Sequence, residues 1–341
     1  MKLKRSWKLV WLGVCALLFL LIFFSFQGIR NPAWRGSTMG TMYSITLVDR
    51  LRPAELREIK AAVDEQLVAV NAEMSTWQSD TEISQFNRFH SLEKFPVSPE
   101  FANVVRRALE MSASTDGAFD PTVKPLVDHW GFGPDADTEP LAEIMKAVGW
   151  QKVRVEEGAL IKTHPEIQLD LSAIAKGYGV DAVAEVIRSF GLKNFLVEIG
   201  GEIAVSGLNR EKKPWRVGIE SPNGMELFQA LELLGGAMAT SGDYRNFRTR
   251  EDGTRYSHLI DPHTGRPAKT DVASVSVLSD SCMDADAVAT ALFVMGSEKG
   301  MEWLLALREL EGKNFPELEA FFILHSTNGT FTTRATDGFP E

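Results

Sequence analysis

From Thr41 to Val48 apolar and polar residues alternate, the period of a half-buried strand. Beyond Pro53 the period changes, because Leu56, Ile59, Val63, Leu67, Val70 and Met74 recur at helical spacing. Ser98-Pro99 opens a second helix, a cap followed by proline in the first turn, with Phe101, Val104, Val105, Ala108 and Leu109 on its apolar face. The loop-rich run from Gly117 to Gly133 and a helix near Leu141 to Val148 come next. Strands are then expected at Val153–Val155, Leu160–Lys162 and Ile167–Leu169, with Glu157-Gly158 turning between the first two. A helix over Ala175–Phe190 leads into strand signals at Phe195–Ile199, Ile203–Val205, Trp215–Ile219, Leu227–Leu233, Tyr256–Ile260 and Ala273–Leu278. Two helices, Met283–Phe293 and Glu298–Leu307, precede final strands at Phe321–Leu324 and Thr330–Thr333. Strands in runs with helices segregated from them predict an α+β architecture, and the order does not alternate strictly enough for a doubly wound sheet. No internal repeat or low-complexity linker divides residues 31–341, which are read as one domain.

Residues 1–30 follow another pattern. Leu9 to Phe26 holds no charge and is preceded by Lys2, Lys4, Arg5 and Lys8. That length suits a membrane crossing, and basic residues before it favour a cytoplasmic amino end. The expectation is an uncleaved signal-anchor that holds the domain on the outer, periplasmic side of a bacterial cytoplasmic membrane. A cleaved signal or a lipoprotein processed at Cys15 is the competing reading; the long apolar run and the lack of a small-x-small cleavage site weigh against it. Five of the 36 basic residues lie in this segment and none of the 46 acidic ones do, so the body carries 31 against 46, a net charge of −15. Such a balance argues against nucleic acid as a partner. Cys282 is the body's one cysteine, which excludes a disulfide within it, a zinc thiolate cluster and a CxxC redox pair.

Candidate chemistry gathers where glycine meets short polar residues. Asp286 and Thr290 are four apart, so on a helix they share a face and offer two hard oxygens of the kind Mg²⁺ takes. A solvated aspartate and a threonine bonded to its own helix is the bland reading. The apolar flanks Ala285, Ala287, Val288, Ala289, Ala291, Leu292 and Phe293 weaken it, because a buried carboxylate needs a cation or donors. Leu169 to Tyr178 ends a strand and begins a helix, with Lys176 one turn in: an anion site, or a capping Ser172 and a surface lysine. His258 ends a strand signal before Asp261-Pro262, where a general base and a structural histidine are both open readings. Trp77 and Trp130 fall in loops, able to stack on a planar ring or to pack as core. The absence of GxSxG, HExxH, Walker and GxGxxG motifs disfavours the common hydrolase, zinc protease, P-loop and Rossmann readings.

Taken in order, Thr38-Met39-Gly40-Thr41, Ala118 to Val123 with Trp130 to Gly133, Leu169 to Tyr178, Val197 to Glu202, Thr240 to Arg245, Ser257 to Gly265 and Cys282 to Thr290 resemble the ApbE family of FAD:protein FMN transferases. The resemblance implies a FAD site from Met39, Trp77, Ala118, Phe119, Asp120, Asp170, Lys176 and Ile260. It implies a Mg²⁺ site from Asp286, Thr290 and the backbone carbonyl of Ala173, with Ala175 the alternative, and it implies that His258 activates the acceptor hydroxyl. The implied acceptor is a Thr or Ser in a Ser/Thr-Gly-Ala-Thr-like motif of another protein, such as a respiratory complex subunit. A Mg²⁺-dependent FAD pyrophosphatase and a periplasmic protein that binds FAD without cleaving it are the competing functions; AMP release and acceptor modification separate the three.

Overall fold

The computed structural model describes residues 28–340 apart from 136–137, 225, 250–252, 310–316 and 327. Its frame is an eight-stranded antiparallel sheet whose spatial order follows chain order. The strands are β1 (Ala33–Thr38), β2 (Thr41–Leu47), β3 (Phe195–Ile199), β4 (Glu202–Ser206), β5 (Gly235–Gly242), β6 (Val272–Ser279), β7 (Glu319–His325) and β8 (Phe331–Ala335). Their alternation feeds two different layers. On β5, Ala237 and Ala239 face the helices, while Met238 joins Trp215, Val217, Ile219, Leu231, Phe321 and Ile323 on the opposite face. That second face is covered by the ribbon Trp215–Glu220/Leu227–Leu233.

Helices α1 (Pro53–Met74), α2 (Pro99–Ser114), α3 (Ala175–Ser189), α4 (Cys282–Met295) and α5 (Ser297–Glu309) make up the helical layer. α1 buries the six residues its spacing singles out. α4 is apolar on nearly every side and packs against β5, β6 and α3, so it is the central helix of the layer. Its start is over-determined. Ser281 caps it by accepting from the Asp284 amide at 3.2 Å, and the Asp181 carboxylate on α3 accepts from the amides of Cys282 and Met283, both at 3.0 Å. Arg107 on α2 then grips Asp284 through two bonds of 2.6 and 2.9 Å. α3 and α4 touch backbone to backbone at Gly177, where a Cβ would lie 2.2 Å from the Cys282 carbonyl oxygen.

Several expectations are corrected by tertiary context. Ile167–Leu169 is buried but is no strand; it runs as a connector, with the Leu169 amide and carbonyl bonded to the Asn87 side chain. The signal at Tyr256–Ile260 splits into Arg255–Ser257 and Ile260–Asp261, which pair with different partners, Phe247–Thr249 and Arg266–Pro267. The loop at Gly117–Gly133 contains a helix, Lys124–His129, and the helix expected over Leu141–Val148 stops at Ile144 before a 3₁₀ turn. β1 and β5 carried too much glycine, alanine and short polar residue to register as strands. No helix among the described residues is long and apolar enough to cross a membrane, and the Leu9–Phe26 segment lies outside them.

Candidate active site

A cleft of about 830 Å³ opens where the β1–β2 turn, the start of α3, the end of β5 and the turn after Ser257 meet. Every site residue expected from the sequence lines it: Met39, Trp77, Ala118, Phe119, Asp120, Asp170, Ala173, Lys176, His258, Ile260, Asp286 and Thr290. The volume falls within the range of small-molecule and cofactor sites.

At the floor stands Asp286, held on the buried face of α4. Its Oδ2 accepts from the Gly177 amide at 3.0 Å, and its Oδ1 lies 3.5 Å from Lys176 Nζ. The approach of α3 and α4 at Gly177 thus brings the carboxylate to the amino end of α3. One turn along α4, Thr290 Oγ1 is 3.1 Å from Ser241 Oγ on β5. Because the Gly177 amide goes to Asp286, it does not close a turn on the Ala173 carbonyl, and among the described residues no backbone donor takes that oxygen. The Ala175 carbonyl, by contrast, points along α3 as part of its ladder.

Lys176 lies between Asp286 and Glu202, 3.4 Å from Glu202 Oε1, and donates to the Ser172 carbonyl at 3.3 Å. Burial by itself would lower its pKa, but the two carboxylates outweigh burial and hold the ammonium above the ordinary lysine value. Glu202 responds the other way: burial pushes its carboxyl up, and Lys176 offsets this only in part. Its Oε2 is buried with no hydrogen-bond partner among the described residues. Glu202 is the residue sequence reasoning missed; the Gly200-Gly201 turn before it was the available signal, since β4 begins at Glu202 and places that side chain toward α3.

His258 sits on the opposite wall, half-buried between the two short strand pairs. Its Nδ1 lies 3.0 Å from the Asn246 carbonyl oxygen, its own amide donates to the same oxygen at 3.2 Å, and Phe132 meets the ring edge-on. A carbonyl only accepts, so Nδ1 carries the proton and Nε2 keeps a lone pair for the cleft. Burial holds the imidazole pKa below its ordinary value, reinforced by Lys176 and partly offset by the Asn246 carbonyl and Asp170.

The remaining expected residues shape the pocket. Met39 and Gly40 both take positive φ, 50° and 70°, as the β1–β2 turn requires, and the Met39 sulfur packs against Gly179. Asp120 is buried and fully engaged: it accepts from the Thr122 amide and hydroxyl at 2.8 and 2.6 Å and from the Trp150 amide at 2.9 Å. It orders the Ala118–Thr122 loop, and its contribution to a ligand is the loop it holds. Trp77 is 68% exposed at the rim, free to cover a planar group. Arg245 is paired with Glu220 at the mouth; Arg245 and Lys176 are the lysine and arginine side chains that line the cleft among the described residues.

A histidine, a lysine held between two carboxylates and hard oxygen donors face one cofactor-sized cleft, the arrangement of a candidate enzyme active site. The ApbE family profile matches residues 39–312. The chain is 45% identical over 303 residues to the FAD:protein FMN transferase of Vibrio cholerae, covering 85% of this chain and 89% of that protein. It is 38% identical over 323 residues to the Haemophilus influenzae protein of the same name, covering 90% of each. Among solved structures, the flavin transferase ApbE from Vibrio cholerae superposes with a TM-score of 0.81 at 40% identity, covering 91% of this chain and 98% of that one. The apo flavinyl transferase ApbE of Pseudomonas stutzeri gives 0.78 at 33% identity, covering 90% and 95%. The chain belongs to the ApbE family and, as these relatives are, is a transferase.

Proposed function

We propose that this chain is a Mg²⁺-dependent FAD:protein FMN transferase, which cleaves FAD, places FMN in phosphoester linkage on a Thr or Ser of another protein and releases AMP. The observation that carries the reading is the convergence of His258, Lys176, Asp286, Thr290 and the Ala173 carbonyl on one cleft. The donor set suits Mg²⁺ by its chemistry. A buried carboxylate, a hydroxyl and an untaken carbonyl are hard oxygens, and substrate phosphate and water complete a coordination shell of that kind. No cluster of three His, Cys, Asp or Glu side chains suited to a metal occurs among the described residues, which fits an ion shared with a substrate rather than caged by protein. Bound there, Mg²⁺ would neutralise the pyrophosphate and the charge developing on departing AMP.

The protein's own groups supply the rest. Lys176, kept charged by its two carboxylates, sets a fixed positive charge beside the pyrophosphate. His258 Nε2 accepts the proton of the acceptor hydroxyl as its oxygen attacks the FMN-side phosphorus. The bond from that phosphorus to the bridging oxygen breaks, the electron pair leaves with AMP, and the proton stays on His258. Trp77 and Met39 cover the flavin end, and Asp120 and Asp170 hold the loops that line it. With Leu9–Phe26 as its anchor, the domain works at the outer, periplasmic face of the cytoplasmic membrane on an acceptor such as a respiratory complex subunit.

The test mixes the full chain with FAD, Mg²⁺ and a small domain carrying a Ser/Thr-Gly-Ala-Thr segment, read by intact mass. The expected result is an acceptor mass gain of one FMN phosphoester that EDTA prevents. Free FMN and AMP with an unmodified acceptor would replace transfer by hydrolysis. FAD bound but never consumed would reduce the protein to a carrier.

A further inference from the structure

Three turns that line the cleft, Met39-Gly40, Gly200-Gly201 and Gly242 to Arg245, lie at one end of the central strands. The opposite end of the same strands is where the described residues begin. There Ile29 and Leu51 exchange backbone bonds of 2.6 and 3.0 Å, the Val48 amide donates to the Asn194 carbonyl at 3.0 Å, and the Leu208 amide donates to the Asn194 side chain at 2.8 Å. The register of β4 and β5 adds Gly235, opposite Ser206. The start of β1, the end of β2, the start of β3, the end of β4 and the start of β5 thus form one base. β2 is seven residues long, so base and cleft are about 20 Å apart.

This base is both apolar and basic. Ile29, Phe190 at the end of α3, Leu208 and Leu234 before β5 are all exposed. The segments that carry them hold Arg30, Arg50, Lys193, Arg210, Lys212 and Lys213, every one exposed, against two acidic residues, Asp49 and Glu211. On a chain of net charge −10 that is a local reversal of sign. The loop with three of these cations has a fixed backbone: the Asn209 side chain accepts from the Glu211 and Lys213 amides at 2.8 and 3.2 Å and donates to the Pro214 carbonyl at 2.8 Å. What covers the face follows from the chain before it. Gln27 alone separates the apolar run Leu9–Phe26 from Gly28. Two residue steps reach about 7 Å at most, and the headgroup layer of a bilayer is about 5–7 Å deep. A span that ends at Phe26 leaves the base no room to stand clear of the membrane.

We propose that this base is a membrane-docking face, which seats Ile29, Phe190, Leu208 and Leu234 in the headgroup layer of the outer leaflet and pairs its six cations with anionic phospholipid. The cleft then opens away from the bilayer, about 20 Å above it, and an acceptor must present its hydroxyl at that height. The inference rests on the reading of Leu9–Phe26 as an anchor, and the experiment separates the two.

The full chain, with Cys15→Ser so that buried Cys282 is its one native thiol, is placed in phosphatidylcholine vesicles with or without phosphatidylglycerol. It carries a dye at Leu234→Cys or, as the control near the cleft end, at exposed Met42→Cys, and brominated lipid quenches a dye that touches the bilayer. An alkaline carbonate wash tests the anchor separately. Quenching at Leu234→Cys should be strong with phosphatidylglycerol, weaken without it or in high NaCl, and be absent at Met42→Cys. Arg210→Glu with Lys212→Glu and Lys213→Glu should lower the docked fraction about tenfold, while FAD affinity matches wild type and shows the fold intact. An unquenched Leu234→Cys dye on protein that resists the wash would leave the anchor standing and overturn the docking face. Equal quenching at Met42→Cys, or a triple variant that docks like wild type, would overturn it too. Energy transfer between dyes on two copies, rising with protein density and indifferent to lipid charge, would give the face to a second copy instead. Protein released by the wash overturns the anchor reading, and the docking face falls with it.

Discussion

The two walls of the cleft are built on opposite plans. The Asp286 wall stands on α3 and α4, which meet backbone to backbone at Gly177, are capped across the interface by Asp181 and are tied to α2 through Arg107. The His258 wall is a turn between two pairs of very short strands, where the Asn246 carbonyl meets both the His258 amide and Nδ1, the Ala268 amide donates to the Leu259 carbonyl at 2.8 Å and Phe132 meets the imidazole edge-on. Close packing holds a carboxylate in one geometry, and a carboxylate displaced by an ångström loses much of its effect. The difference separates a wall fixed by helix packing from one carried by short strands and a turn.

The comparison breaks most completely at Asp286. Asp286→Ala should lower Mg²⁺-dependent FAD turnover by about 10³-fold, since several kcal/mol of charge stabilisation goes with the carboxylate. Steady-state assays over a Mg²⁺ titration check this, and an unchanged rate would show that the rigid wall does not hold the ion. On the other wall, His258→Ala should cost about 10²-fold in the transfer kcat while FAD affinity by fluorescence titration stays near wild type. Transfer at the wild-type rate would remove the histidine as base.

Stability should divide along the same line. Gly177→Ala forces a methyl against the Cys282 carbonyl and should cost ~2 kcal/mol in urea unfolding, whereas Arg248→Ala on the exposed ribbon should stay within ~0.5 kcal/mol. Equal costs would mean that the two walls are packed alike. The pH profile sharpens the contrast further. Base catalysis needs neutral imidazole, and burial lowers the His258 pKa, so kcat should be flat around neutrality and fall about tenfold per unit only below the ordinary histidine value. A loss of rate already between neutrality and pH 8 on acidification would point to another base. The smallest change belongs to the rim. Trp77→Ala should raise the KM for FAD a few-fold, about 1 kcal/mol of stacking, with kcat unaltered.

Periodicity carried the helices well because their apolar faces are long: α1 buries the six positions its spacing named, and α4 was apolar enough to require burial of Asp286. The candidate site residues were named partly from the residues and partly through resemblance. Thr290 and Asp286 share a face by helical spacing, but nothing in spacing joins them to Met39 or His258, which come from other elements. The strand β5 escaped notice because Gly235-Gly236-Ala237-Met238-Ala239 lacks β-branched residues, yet it supplies Ser241, the partner of Thr290.

The sequence by itself determined the α+β class, the separate character of residues 1–30, the acidic body and the residue types able to hold an ion and move a proton. Those properties reside in local pattern and composition, which a chain carries whether folded or not. Tertiary structure alone decided that Glu202 would close around Lys176 and that, among the described residues, the Ala173 carbonyl rather than that of Ala175 would be left without a backbone donor. Both follow from which elements pack together: the contact of α3 with α4 diverts one amide, and β4 packed beside α3 brings Glu202 to Lys176. Contacts between segments a hundred residues apart are set by the geometry of the whole sheet and its helices, and no local spacing encodes them.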